Sequence, residues 1–396
     1  MSETRGAAVV IVGGGATGLS AGWWLAREGV DVLVVDKGIV GWEASGRNGG
    51  GCTHPFSPLF REEQRLWPQM DELLGYPTEF RPRRVRMALD EVQMELYGRA
   101  RQHAIRQGFV SERLDARQLR ELVPLAGDNV AGGYLHHFGG HANPQRTVQA
   151  YAWAMQDHGG RLMQHTTVTG FTTAGDKVTG VRTDRGELGC DTLVLAAGPQ
   201  INRLARTIGV DVPMVPARAE MIVTEKLPLM PLGGVDGNGL YGRQTLRGNL
   251  AYGGGPHEWL EDTGNAVPPR SSTPLMRNIA ARLAALFPRA AHARVIRSWA
   301  GIIENTPDGR PVLERMGNVV VATLSSVGFG LSPATGHAVR DLVVDGVCGF
   351  ADLGTLSLAR FEKLEPDWAE LQGWRKQEGE GSALDQARTA PLQSLP

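Results

Sequence analysis

Cysteine is scarce in this chain of 396 residues: there are three, Cys52, Cys190 and Cys348, far apart and without a CxxC spacing. That argues against an iron–sulfur cluster or a structural zinc held by this chain alone, and reduced thiols are the expected state. Long apolar runs are also missing. None reaches the roughly 18 residues needed to cross a bilayer, so no membrane span is expected. Charge of one sign is lacking too: 41 Lys and Arg stand against 42 Asp and Glu, for a formal net charge of −1. Nucleic acid and strongly anionic surfaces are therefore not expected partners. The opening residues, Met1 to Gly6, are polar and short, with no secretory apolar region, which makes the cytoplasm the default location.

What is present is concentrated near the start. Val9, Val10, Ile11 and Val12 have strand length and lead into Gly13-x-Gly15-x-x-Gly18, then into a helical pattern that Gly29 ends. A second apolar run, Val32 to Val35, finishes on Asp36. This is a strand–turn–helix–strand unit with an acid at its end. Gly13 permits a tight turn, Gly15 has no side chain to hold off a pyrophosphate, and Gly18 lets the helix pack close to the strand. The free amides at the helix start then face phosphates, and Asp36 can accept from ribose hydroxyls. The unit predicts dinucleotide binding.

Further on, a Gly- and Ser-rich loop runs from Trp42 to Pro58. Helical patterns cover Arg61 to Leu74 (interrupted at Pro68), Asp90 to Gly108, Ser111 to Val123 and Arg146 to His158. The glycine- and histidine-rich stretch Gly132 to Pro144 reads as loop. Thr166 to Phe171, Val178 to Asp184 and Glu187 to Cys190 read as a β-meander that runs into a buried strand ending at Gly198. Strands are expected at Met214 to Glu225, Gly239 to Arg243, Asn249 to Gly253, Arg294 to Ile303 and Val319 to Thr323. Helices are expected at Thr273 to Leu286 and from about Ser332 to Asp345. The fold class is thus α/β and α+β: a discontinuous Rossmann-type nucleotide domain (1–80, 145–213 and 295–375) with an inserted mixed-sheet substrate domain (81–144 and 214–294). A polar tail, 376–396, is expected to be mobile or to dock on a partner.

Four segments resemble the D-amino-acid oxidase-like superfamily of FAD enzymes over roughly residues 7–365. They are the Gly13–Gly18 unit with Asp36; Ala44-Ser45-Gly46-Arg47-Asn48-Gly49-Gly50-Gly51; Leu193-Val194-Leu195-Ala196-Ala197-Gly198; and Trp299-Ala300-Gly301 through Thr306-Pro307-Asp308-Gly309-x-Pro311 to Gly328-Phe329-Gly330-Leu331. The superfamily includes sarcosine oxidases, glycine oxidase, and the flavin subunits of opine oxidase and hydrogen cyanide synthase. The resemblance implies FAD as cofactor. It places Gly13, Gly15, Gly18, Asp36, Lys37, Ser45, Arg47, Asn48, Gly49, Gly50, Val168, Ala197, Gly198, Gly301, Gly328, Gly330 and Leu331 in or beside its site. Val168 would lie near the adenine, and Gly328 to Leu331 would present a helix N-terminus to the flavin. Asp36 stands where relatives often carry Glu, and Val327 where many carry His, with Ser326 a partial replacement. Gly301 occupies about the place of the flavin-linking cysteine of monomeric sarcosine oxidases, so FAD is expected to be non-covalent.

The implied chemistry is oxidation of a C–H beside an amine nitrogen by hydride transfer to the flavin, giving an imine that hydrolyses. A small amine or amino acid would be the substrate, gripped through its carboxylate by an arginine fork. Arg243 is the candidate, with Tyr241 on the same strand and His54 bordering the site. His136, His137 and His141 match a structural segment of the family rather than a metal site. No lysine lies between Lys226 and Lys363, which leans toward a dehydrogenase over an oxidase. The electron acceptor is left among oxygen, a quinone and a partner subunit. Three alternatives stay open: a flavin subunit of a hetero-oligomeric opine- or glycine-oxidising complex, a non-catalytic flavin-binding subunit, and an NAD-only dehydrogenase, against which the Arg47–Gly51 loop argues.

Overall fold

The computed structural model describes residues 6–255, 257–260 and 270–371; the expected tail, 376–396, lies outside them. In chain order the first elements are β1 (Ala7–Val12), α1 (Ala16–Arg27), β2 (Val32–Val35), α2 (Phe60–Leu66), α3 (Met70–Leu74), β3 (Arg81–Ala88), α4 (Glu91–Arg106), β4 (Ser111–Leu114), α5 (Ala116–Leu122) and β5 (Gly132–His141). Next come α6 (Pro144–Asp157), β6 (Arg161–Met163), β7 (Val168–Ala174), β8 (Lys177–Thr183), β9 (Gly186–Leu195) and α7 (Ile201–Ala205). The remainder holds β10 (Val215–Lys226), β11 (Val235–Gly237), β12 (Leu240–Gln244), β13 (Asn249–Gly254), β14 (Glu258–Trp259), α8 (Thr273–Leu286), β15 (Val295–Asn305), β16 (Val312–Met316), β17 (Val319–Thr323) and α9 (Gly328–Val344).

The first sheet has the order β16-β17-β9-β1-β2-β6, with β7 and β8 attached through β9. Neighbouring strands from β17 to β6 pair parallel, and β16 closes the edge antiparallel. Both faces are covered, which is why β1 is apolar without alternation. Val9 and Ile11 pack with α1, α6 and α9 on one side. Val10 and Val12 pack with the β7–β8 hairpin and α7 on the other. The meander's third strand and the buried strand after it form one element. The first half of β9 pairs antiparallel with β8, and its second half pairs parallel with β1.

The second sheet has the order β14-β10-β13-β12-β11-β3-β5-β4, with β15 also on β10. One face packs Val85, Ile222, Leu250 and Tyr252 against α5 and α8. The other carries Arg84, Asp236, Tyr241 and Arg243 toward the first sheet's loops. β15, assigned from the sequence to the nucleotide unit, is hydrogen-bonded along β10 from Val215 to Thr224, so it lies in the second sheet.

Several local expectations are corrected. Ser111 to Val123 is a strand followed by a helix, because Asp115 caps α5 rather than sitting inside it: its side chain accepts from Gln118 N–H, and the Gln118 side chain answers to Asp115 N–H. Gly132 to Pro144 contains a ten-residue strand, not a loop. Its glycines serve close packing: a Cβ on Gly140 would lie 2.4 Å from the Arg81 carbonyl. β3, rich in arginine, gave no apolar signal and was not anticipated. α9 begins at Gly328, four residues ahead of the expected start, and runs through Pro333. The Phe329 carbonyl that Pro333 has no N–H to meet accepts from Ser332 Oγ at 2.7 Å instead.

Candidate cofactor cleft and substrate face

β1 ends at Val12 and the chain turns at once. Gly13 adopts a φ of +112°, where a Cβ would stand 2.2 Å from the Ala196 carbonyl, so glycine is required for the turn to pass the end of β9. A Cβ on Gly18 would lie 2.0 Å from the Gly13 carbonyl, which is the close helix–strand contact expected of that position. Asp36 ends β2 with both carboxylate oxygens held: Oδ2 accepts from Gly14 N–H and Oδ1 from Gly38 N–H, each at 2.7 Å. Ser45 reaches back from the following loop, and its Oγ accepts from Ala16 N–H at 3.0 Å.

These groups border a common cleft that is partly open to solvent. Of the residues proposed for the cofactor, Gly13, Gly15, Asp36, Lys37, Ser45, Asn48, Val168, Ala197, Gly198 and Gly328 line it. Thr17, Arg203, Glu304 and Ser326 line it as well; Thr17, Arg203 and Glu304 were not anticipated, since nothing local marks them.

The other candidates lie around the cleft. Arg47 is engaged by protein: Nη1 donates to the Ala300 carbonyl at 2.9 Å, Nε donates to the Trp42 carbonyl, and the guanidinium lies over the Trp42 ring. Burial, opposed by Glu43 and assisted by Arg297, lowers its pKa. Asn48 shapes the loop, donating to the Ala44 and Ser45 carbonyls and accepting from Gly50 N–H. Gly301 packs against Ala44, where a Cβ would come within 3.2 Å of its Cα. Gly330 accepts from Trp67 Nε1 at 2.7 Å, and Leu331 is buried in the core. Ser326 Oγ donates to Asn305 Oδ1 at 2.6 Å. The first helical bond of α9 runs from Leu331 N–H to the Val327 carbonyl, so the amides of Gly328 to Gly330 precede any intrahelical partner.

The substrate candidates occupy two places. Leu240 turns into the core, so Tyr241 and Arg243, one and three residues on, face the Arg47–Gly51 loop. Arg243 Nη1 donates to the Gly49 carbonyl at 2.8 Å. Burial lowers its pKa to about 10 and raises that of Tyr241 to about 12. His54 lies against the first turn of α9, where a Cβ on Gly330 would meet its ring at 2.2 Å. Its Nδ1 is 2.7 Å from Oε1 of the buried Glu63, whose Oε2 accepts from His54 N–H. Beside this face, Arg84 and Asp236 form a buried two-point ion pair. The three histidines of β5 have separate surroundings: His136 meets Ser111 Oγ, His137 meets Glu112, and neither ring nitrogen of the buried His141 has a partner.

FAD fits this arrangement. The glycine turn leaves room that side chains would fill, the α1 and α9 N-termini offer amides, Asp36 stands at the end of β2, and Val168 and Thr166 wall the same cleft. No cysteine lines the cleft among the described residues, in keeping with non-covalent binding.

Comparison with known proteins agrees. The model of the family described as FAD dependent oxidoreductase (DAO) matches residues 8–342. Sarcosine oxidase subunit beta of Rhodobacter capsulatus is 28% identical over 375 residues, covering 90% of this chain and 88% of that protein. Glycine oxidase of Pseudomonas putida is 28% identical over 319 residues, covering 77% of this chain and 84% of that protein. The crystal structure of L-proline dehydrogenase from P. horikoshii shares the fold, with a TM-score of 0.83 over 91% of this chain and 98% of that one at 22% identity. A glycine-cradled cleft of this build, in a chain matched along most of its length, makes the protein a member of the DAO family of FAD-dependent oxidoreductases.

Proposed function

We propose that this enzyme oxidises the C–N bond of a small amine or amino acid that carries a carboxylate. FAD, when bound, supplies the two-electron acceptor. The observation that carries the reading is Arg243: a desolvated guanidinium on the face opposite the cofactor loop, with one donor on Gly49 and no ion pair among the described residues. Its remaining donors suit a carboxylate, which would complete the charge balance that burial otherwise opposes. Tyr241, on the same face, would orient that carboxylate through its hydroxyl. Glu63 holds Nδ1 of His54, fixing the orientation of its ring and leaving Nε2 for a second contact. In this reading the first sheet is the nucleotide unit and the second the substrate unit.

Similarity to sarcosine oxidase subunit beta favours a second reading within the same chemistry, in which the chain is the flavin subunit of a hetero-oligomer. The lysine-free stretch between Lys226 and Lys363 leans toward an acceptor other than oxygen. An anaerobic screen with sarcosine, glycine, proline, D-amino acids and opines tests the proposal. At least one should bleach the flavin, and subsequent addition of oxygen or a dye identifies the acceptor. If none of these carboxylates reduces the flavin while simple amines do, the carboxylate assignment is wrong.

A further inference from the structure

Glu304 lies near the end of β15, opposite Pro216 of β10, and its side chain lines the cofactor cleft. One carboxyl oxygen is anchored: Oε1 accepts from Leu324 N–H and from Thr323 Oγ1, both at 3.3 Å. The other is not. Oε2 lies 3.9 Å from the point where a Cβ on Gly198 would stand, and Gly198 has a φ of +52° and no side chain to cover it. The wall around it is apolar, built by Pro216, Ile302 and Ile303.

We propose that Glu304 is a ligand of the bound cofactor, its Oε2 carboxyl oxygen hydrogen-bonding FAD in the part of the cleft between Gly198 and the first turn of α9. The inference rests on FAD occupying this cleft. It assigns to Glu304 the role of proton-bearing donor. FAD brings a pyrophosphate into the same cleft, and an ionised carboxylate there would oppose it. Burial already raises the Glu304 pKa, and the hydrogen bonds that pull it down, from its own backbone N–H, Leu324 N–H and Thr323 Oγ1, do not cancel that effect. The other charged groups lining the cleft are Asp36, Lys37, Glu43 and Arg203. Asp36 is held by two amides, Lys37 lies 3.8 Å from Glu43, and Arg203 donates to Gln200. None contributes to the shift at Glu304. From β17 and the loop before α9, the facing groups are the neutral Thr323 and Ser326. Binding FAD should therefore take up a proton at Glu304, and affinity should fall as pH rises through the range in which the free protein releases it.

The test strips FAD from the purified protein and measures its rebinding by fluorescence quenching for wild type, Glu304→Gln and Glu304→Ala between pH 5 and 9. The amide of Glu304→Gln keeps a donor at the cleft. At the acid end of this range it should bind FAD about as well as wild type, while Glu304→Ala binds about tenfold more weakly. Above the Glu304 pKa the wild-type affinity should drop, by up to about tenfold per pH unit, relative to Glu304→Gln. Wild-type affinity that stays flat against Glu304→Gln across this range, or rises with pH, overturns the proposal. So does Glu304→Ala binding as tightly as wild type. The wild-type pH profile stands even where a variant folds poorly, and failure of the wild type itself to rebind FAD would count against the cofactor assignment instead.

Discussion

Arg243 Nη1 donates to the Gly49 carbonyl across 2.8 Å, which ties the strand bearing the candidate substrate groups to the Arg47–Gly51 loop. The bond spans 194 residues of sequence. One guanidinium can thus hold the loop in place and present its other donors to an anion. Replacing Arg243 with Ala should raise KM for carboxylate substrates by roughly 10–100-fold, the worth of a lost charge-assisted hydrogen bond of about 1.5–3 kcal/mol. Comparing each substrate with its decarboxylated analogue separates the two roles. Loss of discrimination against the analogue marks carboxylate binding, whereas an equal loss for both leaves Arg243 with the loop alone.

Gly50 should tolerate no side chain. Its φ is +81°, and a Cβ would lie 2.1 Å from the Ala142 carbonyl and 3.1 Å from Arg243 Nη1. Gly209 has a similar φ of +77°, with nothing within 4 Å of a Cβ, and isolates the backbone strain. Gly209→Ala should cost about 1–2 kcal/mol. Gly50→Ala should cost more in thermal stability and also weaken FAD binding. Equal melting-temperature losses for the two variants would show that the Ala142 contact relaxes freely.

How much of this was readable beforehand depends on the distance between partners. The turn from Gly13 to Asp36 was legible because most of its logic is local: the Gly18 contact with the Gly13 carbonyl and the Asp36 bond to Gly14 N–H fall within one strand–helix–strand unit. The strand Gly132–His141 was not, because glycines chosen for close approach to Arg81 and Arg86 look like turn residues when their neighbours are unknown. Asp115 misled for a related reason, since a cap and an interior acid differ only in whether Gln118 answers it. Glu304 gave no signal at all. A lone acid acquires meaning only once Gly198 and Thr323, remote in sequence, come beside it.

The buried pair of Arg84 and Asp236 should be worth far more broken than exchanged. Arg84 Nε donates to Asp236 Oδ2 at 3.1 Å, its Nη2 donates to Oδ1, and Nη1 donates to the Gly140 carbonyl at 2.9 Å. Asp236→Ala leaves a desolvated guanidinium without its counter-ion and should cost about 3–5 kcal/mol. Arg84→Met combined with Asp236→Leu removes both charges together and should cost less than either single change. Urea unfolding of Arg84→Met, Asp236→Leu and the double variant gives the coupling directly, and additive losses would mean that the pair is not coupled.

Glu62 should make stability depend on acid pH through a contact that does not line the cleft. Burial acts to raise its pKa, but hydrogen bonds from Arg65 and His337 outweigh that and lower it from 4.5 to about 2. In the unfolded chain neither partner is held against it, so the unfolded state binds the proton first as pH falls. The stabilisation is therefore fully present above 4.5 and is lost as the pH drops toward about 2. Glu62→Gln should lower the melting temperature at neutral pH, and its difference from wild type should narrow steadily as the pH falls through that window. A difference that stays constant down to the acid end would show that the loss comes from packing, since Gln preserves the shape and removes only the charge.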